Sequence, residues 1–261
     1  MKVVLFCGGL GTRLREHSDT IPKPLVNIGY RPILWYLMKY YAHFGHTDFI
    51  ICLGYRGDMI KQFFLDYDPS YSNDFVLRKG KPQLESDSDV ADWQIQFVDT
   101  GLHSNIGQRL LAVRSYLAAE DSFLANYSDQ LSDLPLSEYL AAFDRSHAIA
   151  GFAAVQPANS LHAAKLADDG TVLDIHALHD MDVWVNGGYI ALRQEIFEYI
   201  NEGEELVEEP FRRLVAARRL FAYKYTGFWR SMDTFKDKIS YDRLWGQGHT
   251  PWEVWNQRAT S

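Results

Sequence analysis

The amino-acid sequence predicts an α/β fold built on a doubly wound, mostly parallel central sheet, with a mixed, partly antiparallel C-terminal half. Three observations predict it. Up to residue 148, short apolar runs alternate with amphipathic segments long enough to be crossover helices, and strands joined this way lie parallel in right-handed βαβ units. A glycine-rich loop directly follows the first apolar run, at the strand end where such a sheet presents its ligand site. Beyond residue 149, strand-like segments follow one another with fewer helices between them, which makes that half mixed.

Residues 2–7 read as a buried strand, 33–44 as a helix with apolar positions at helical spacing, 48–53 as a second strand and 58–65 as a second helix. Residues 93–98 are strand-like, 108–117 helical, 122–127 strand-like and 136–147 helical. The polar, Ser- and Asp-rich segment 68–92 breaks this rhythm and reads as an excursion or lid beside the site. In the second half, 150–155, 162–166, 172–176, 184–191 and 220–225 read as strands, with helices at 193–200 and 208–218. No repeat, low-complexity tract or long Gly/Ser linker divides the chain. It reads as one domain of two halves: 1–148, which carries the glycine-rich loop, and 149–261, which forms a facing wall and ends in helices.

A chain of 261 residues buries about 70–75% of its unfolded surface and needs no disulfide. Cys7 and Cys52 each stand in a short apolar run and read as buried, reduced thiols. No apolar stretch approaches the length of a membrane span, and the N-terminal run is too short for a secretion signal, so a cytoplasmic location is expected. The net charge of −8 argues against a nucleic-acid partner, because gripping a phosphate backbone needs a concentrated basic surface. The one basic cluster, Arg212, Arg213, Arg218 and Arg219, reads as a solvated or subunit-contact face.

The loop Gly8-Gly9-Leu10-Gly11-Thr12-Arg13-Leu14 is the most informative segment. Three glycines in four positions let the backbone turn sharply and bring N–H groups close to an anion. A P-loop would continue Gly-Lys-Ser/Thr where this chain has Gly11-Thr12-Arg13, and a dinucleotide fingerprint would place glycine where Leu14 stands. The loop instead pairs with two cations, Arg13 and Lys23, the latter between Pro22 and Pro24, which stiffen its base. Arg matches phosphate bidentately and Lys acts as a point charge, a set suited to a triphosphate.

Gly8 to Leu14, with Lys23-Pro24-Leu25, resembles the N-terminal motif of the sugar-phosphate nucleotidyltransferases. Within them the chain is most similar to the glucose-1-phosphate cytidylyltransferases. The supporting stretches include Pro32-Ile33-Leu34-Trp35, Gly54-Tyr55, Val98-Asp99-Thr100-Gly101, Asn186-Gly187-Gly188, Gly227-Phe228-Trp229, Met232-Asp233-Thr234 and Pro251-Trp252. The resemblance implies the Rossmann-like fold of the nucleotide-diphospho-sugar transferases. It implies that Arg13 and Lys23 are catalytic, Arg13 holding the departing pyrophosphate and Lys23 stabilising charge on the α-phosphate. Phe6, Gly8, Gly9, Gly11, Thr12, Arg13, Lys23, Gly107, Gln108 and Arg109 are the implied nucleotide-binding set. Phe6 reads equally as a core residue, and Arg109 as part of a solvated helix start.

By resemblance Asp129 and Asp233 hold Mg²⁺, which typically takes one or two protein carboxylates. Asp233 also precedes Thr234-Phe235-Lys236-Asp237 and reads as a helix cap. An Asp-x-Asp pair, usual in glycosyltransferases, is missing, since Gln130 and Leu131 follow Asp129. On the acceptor side the resemblance implies Asn186 and Gly187. The family's Glu-Lys-Pro segment is replaced by His176-Ala177-Leu178, and no lysine lies between Lys165 and Lys224. Lys165, His176 or His179 is therefore expected to supply the missing cation. Tyr127-Ser128-Asp129-Gln130 stands where relatives read Tyr-Gly-Asp-Gly.

The expected activity is Mg²⁺-dependent joining of CTP to a sugar 1-phosphate or similar phosphorylated acceptor, giving a CDP-linked product and pyrophosphate. UTP or dTTP, a non-glucose acceptor, and a non-catalytic nucleotide-binding regulator are the alternatives. A homo-oligomer is expected. The aromatic tail with Trp245, Trp252 and Trp255 either enters a subunit interface or covers its own core.

Overall fold

The computed structural model describes residues 1–9, 21–85, 88–157 and 162–256, without the side chain of residue 179. In chain order the first half contains β1 (Val3–Phe6), β2 (Asn27–Ile28), β3 (Arg31–Pro32), α1 (Ile33–His43), β4 (Asp48–Leu53), α2 (Gly57–Leu65), β5 (Phe75–Arg78), β6 (Lys81–Leu84), β7 (Gln94–Asp99), α3 (Ile106–Ala112), β8 (Ser122–Asn126), β9 (Gln130–Ser132) and α4 (Leu136–Ser146). The second half adds β10 (Ala150–Val155), β11 (His162–Leu166), β12 (Val172–Ala177), β13 (Val185–Arg193), α5 (Glu209–Ala216), β14 (Leu220–Tyr225), β15 (Trp229–Ser231) and α6 (Phe235–Gly246).

Seven strands form the central sheet in the order β14-β10-β13-β8-β1-β4-β7. The β14-β10, β8-β1, β1-β4 and β4-β7 pairs are parallel, and β13 runs antiparallel to both its neighbours. Alternate side chains of β1 enter opposite layers, as strand geometry requires. Val3 and Leu5 join the layer of α1, α4 and α6, whereas Val4 and Phe6 join that of α3 and α5. Helices thus cover both faces, which is the doubly wound arrangement expected.

The chain moves outward from β1 through β4 to β7, then returns to place β8 on the other side of β1. Where strand order reverses in this way, the loops leaving the two strands diverge and open a crevice at their carboxyl ends. The crevice therefore lies between the segment after β1 and the segment after β8.

Four details differ from expectation. The second half builds no separate facing wall: β10, β13 and β14 extend the same sheet, because β13 pairs directly with β8. The helix expected over 193–200 is a short 3₁₀ turn, Gln194–Glu198, closed by Tyr199 N donating to Ile196 O. The helix expected over 108–117 starts earlier and ends at Ala112, because Asn105 and Gln108 form a reciprocal capping box and a 3₁₀ turn takes over at Arg114. The 68–92 excursion exists, with the β5–β6 hairpin at its tip, but none of its described residues borders the crevice. Buried Arg31 donates to Asp68 O and Ser72 Oγ and stacks 4.2 Å from the Tyr67 ring centroid, anchoring the excursion beside α1.

The tail covers the chain's own core. Trp252 is buried edge-on against Tyr36 and Tyr241, and Trp255 packs on Trp35. Cys7 and Cys52 are buried free thiols in opposite layers. Among the described residues, no helix is long and apolar enough to cross a membrane.

Candidate active site

Two loops define the crevice, and each is held by buried polar contacts. After β1, Gly8 lies directly over the guanidinium of Arg109: a methyl group there would come within 2.0 Å of Nη1. Only glycine permits that approach. Arg109 is itself buried, donating to Leu53 O (3.0 Å), Thr100 Oγ1 (2.7 Å) and Gly8 O (3.1 Å). It ties together the carboxyl ends of β1, β4 and β7. Burial lowers its pKa from the ordinary arginine value.

After β8, Ser128 adopts a left-handed conformation (φ 67°) that turns Asp129 out of the strand direction. This conformation strains a residue with a Cβ, and local bonds compensate. Ser128 N donates to Asn126 Oδ1 (3.0 Å), and Cys7 Sγ–H donates to Ser128 Oγ (3.2 Å), joining the two loops. Burial pushes the Cys7 thiol up to about 12, against the opposing bond to Ser128. It is a structural thiol, not a nucleophile.

Asp233 reaches Asp129 because the short strands beside them pair. β9, which follows Asp129, runs antiparallel to β15, which precedes Asp233, with Gln130 opposite Ser231. Met232 N also donates to Asp129 O at 2.8 Å. The α6 cap is Thr234, in a capping box with Asp237, so Asp233 is not the cap. Lys23 projects from the turn Lys23–Leu25, whose Pro24 is buried. Its ammonium donates to Asp129 Oδ2 at 2.7 Å and Asp233 Oδ1 at 2.8 Å. Burial alone would lower the Lys23 pKa, but the two carboxylates overcome it and hold it above the usual lysine value. Burial raises the Asp129 carboxyl; Lys23 pulls it back and Asp233 adds to the rise.

These groups border a cavity of about 370 Å³, lined also by Phe6, Gly9, Ser104, Asn105, Tyr127 and Glu205. Of the residues expected at the site, the structure brings Phe6, Gly8, Gly9, Lys23, Arg109, Asp129 and Asp233 to this cavity. Gly11, Thr12 and Arg13 lie outside the described residues. Gly107 and Gln108 do not line it. Gly107 is packed beneath Glu204 O, and Gln108 completes the α3 capping box. Asn186 and Gly187 stand behind the wall: Asn186 Nδ2 donates to the Tyr127 hydroxyl at 3.1 Å, and Gly187 O accepts from Trp229 Nε1 at 2.8 Å.

The acceptor-side cations are not brought to the cavity. Lys165 and His176 lie on the β11–β12 hairpin, whose strands pair only with each other, and exposed His176 pairs with Asp174. The His179 side chain lies outside the described set. Sequence reasoning missed Ser104, Asn105, Tyr127 and Glu205. The first two are near Gly107, and Tyr127 precedes Asp129, so position along the chain signalled them; Glu205 sits in an acidic stretch that reads as solvated surface. Gln130, also unassigned, is buried with its Nε2 unpartnered, filling the space over Gly188.

The chain is similar to known proteins along nearly its whole length. The profile of the family described as Nucleotidyl transferase matches residues 2–230. A glucose-1-phosphate cytidylyltransferase of Salmonella typhimurium is 35% identical over 259 residues, covering 98% of this chain and 100% of that protein. A Bacillus subtilis (strain 168) protein described as a probable glucose-1-phosphate cytidylyltransferase is 32% identical over 257 residues, with the same coverage of 98% and 100%. Among solved structures, an apo UDP-glucose pyrophosphorylase superposes with a TM-score of 0.70 at 15% identity, covering 96% of this chain and 100% of that one. That likeness concerns the fold alone.

Proposed function

The chain belongs to the nucleotidyl transferase family, and we propose that it joins CTP to a sugar 1-phosphate, or a similar phosphorylated acceptor, giving a CDP-linked product and pyrophosphate. The cytidylyltransferases that match it end to end support the substrates. One observation carries the chemistry: a single ammonium, Lys23, is held between two carboxylates at the wall of the cavity where the sheet order reverses.

An oxygen of the acceptor phosphate attacks the α-phosphorus, the bond to the bridging β-phosphate oxygen breaks, and its electron pair leaves with pyrophosphate. The acceptor is already ionised, so no protein nucleophile is needed. Lys23 stabilises charge accumulating on the α-phosphate. Gly8 and Gly9 let main-chain N–H groups approach the phosphates, and we assign Arg13 to the departing pyrophosphate.

We assign Asp129 and Asp233 to Mg²⁺. The donors fit: both are hard oxygen ligands, and among the described residues no cluster of three His, Cys, Asp or Glu side chains offers a softer, closed site. When bound, the cation neutralises phosphate charge and lowers the barrier to displacement. We further propose a homo-oligomer in the cytoplasm. Exposed apolar side chains on the two hairpins, including Leu77, Leu173 and Ile175, support the former, and the two reduced thiols the latter.

The test is pyrophosphate release across CTP, UTP, dTTP and GTP with a panel of sugar 1-phosphates, with MgCl₂ or EDTA. Turnover of CTP that EDTA abolishes is expected. If no triphosphate releases pyrophosphate with any acceptor, the proposal falls.

A further inference from the structure

A third carboxylate borders the cavity, and the chemistry above gives it no role. Glu205 lies in a stretch folded over the start of α3, where Asn105 Nδ2 donates to Gly203 O at 2.9 Å. Its carboxylate is fixed by main-chain donors: Oε2 accepts from Ile106 N at 3.2 Å and Oε1 from Leu206 N at 3.0 Å. Among the described residues no ion pair engages it, and it stands apart from the Asp129–Asp233 pair, since no three acidic groups converge. Tyr127 lies within the influence of both ends. Burial raises its phenol, Asn186 lowers it, and the carboxylates of Glu205 and Asp129 each raise it further.

A rigid carboxylate constrains what can lie beside it. It repels a triphosphate, whose charge belongs with Lys23, so the uncharged part of the nucleotide is the part that fits next to Glu205. Phe6, Ile106 and Tyr127 offer apolar and aromatic surface for a flat ring there, and Ser104 and Asn105 offer neutral polar groups. A carboxylate only accepts hydrogen bonds. Cytosine presents an exocyclic amino donor where uracil and thymine present a carbonyl oxygen. The former bonds to the carboxylate; the latter sets two acceptors against each other and leaves both unpaired.

We propose that Glu205 selects the nucleobase, accepting a hydrogen bond from an exocyclic amino group and rejecting pyrimidines that carry a carbonyl oxygen in its place. The inference rests on the nucleotidyltransferase reading and deepens it. Glu205→Gln tests the effect: its carbonyl oxygen keeps one of the two main-chain bonds, while the NH₂ that replaces the other oxygen donates to a carbonyl.

Two readouts are needed, calorimetric titration with CTP and UTP in the absence of acceptor, and kcat/KM for pyrophosphate release with each. The wild type is expected to favour CTP in both. In Glu205→Gln the CTP-to-UTP ratio is expected to fall at least tenfold, with UTP gaining, while Tm falls by no more than the few degrees that one lost main-chain bond costs. A ratio unchanged within twofold overturns the inference, as does a wild type that favours UTP. An equal loss for both nucleotides also overturns it, because it marks a merely structural contact. Selective binding without turnover upholds this inference and sinks the proposed activity; turnover without selectivity does the reverse.

Discussion

Lys23 and Asp129 meet at 2.7 Å across 106 positions of sequence, and the same ammonium reaches Asp233, 210 positions away, at 2.8 Å. One cation thus bridges two carboxylates gathered from separate parts of the chain. The arrangement is demanding, because Lys23 and Asp129 are both largely withdrawn from water, with side-chain exposures of 15% and 22%. A buried charge stripped of its partner is far more costly than an exposed one.

Lys23→Met is therefore expected to lower kcat by about 10²–10³-fold, read as pyrophosphate release at saturating substrates. The raised Lys23 pKa also fixes a pH dependence. Its stabilising contribution is complete below the ordinary lysine value of 10.5 and disappears as pH rises through the higher folded value. The melting-temperature gap between wild type and Lys23→Met should hold through neutral pH and close only in strong alkali.

Asp129→Asn is expected to separate activity from stability. The Asp129 carboxyl titrates above the ordinary value of 3.8, so the fold prefers it neutral. The stability associated with its proton is complete below 3.8 and lost as pH rises through the folded value. At neutral pH the amide variant should melt higher than wild type in the absence of ligands, each kcal/mol appearing as about 2–4 °C in a chain of this size. The gap should vanish toward pH 3.8. Turnover should fall at least about 10²-fold; a variant that melts lower at pH 7 contradicts this account.

Arg109→Met should cost about 4–5 kcal/mol in urea unfolding, the low end for three bonds from a charged group worth about 1.5–3 kcal/mol each. Gly8→Ala should weaken nucleotide binding as well as stability, since its methyl group would drive Arg109 out of place. Both variants should lose nucleotide affinity in calorimetry, with Gly8→Ala retaining the cation.

Gly188 and Gln130 should be strongly coupled. A methyl group on Gly188 would come within 1.4 Å of Gln130 Nε2, at a backbone φ of +75°. Gly188→Ala should destabilise by about 3 kcal/mol, combining the clash with left-handed strain of about 1–2 kcal/mol. Adding Gln130→Gly should remove the clash and leave the strain, giving an interaction energy of about 1–2 kcal/mol in the double-mutant cycle. Additive losses would show that the two side chains do not compete for the same space.

Much of this was legible in the chain. The alternation of 2–7 and 48–53 with intervening helical spacing marked β1, α1, β4 and α2, because those patterns are set by near neighbours along the chain. Lys23 and Asp129 were picked out by local context and resemblance: the flanking prolines of the former and the strand ending before the latter. Arg109 was read equally as a nucleotide ligand and as part of a solvated helix start; its burial and its bonds to Leu53, Thr100 and Gly8 were invisible until three strand ends stand side by side. Glu205 is one of several acids in residues 202–209, and no local pattern singles it out.

The sequence alone determined the alternation of strands and helices in the first half and the kinds of charged group available for phosphate chemistry. Tertiary structure decided which of those groups meet. The pairing of β9 with β15 draws Asp129 and Asp233 to one ammonium, while the self-contained β11–β12 hairpin keeps Lys165 and His176 away. Periodicity and turn chemistry depend on neighbours a few residues apart, whereas convergence at the crevice depends on strand partners separated by about a hundred positions, on which no local pattern reports.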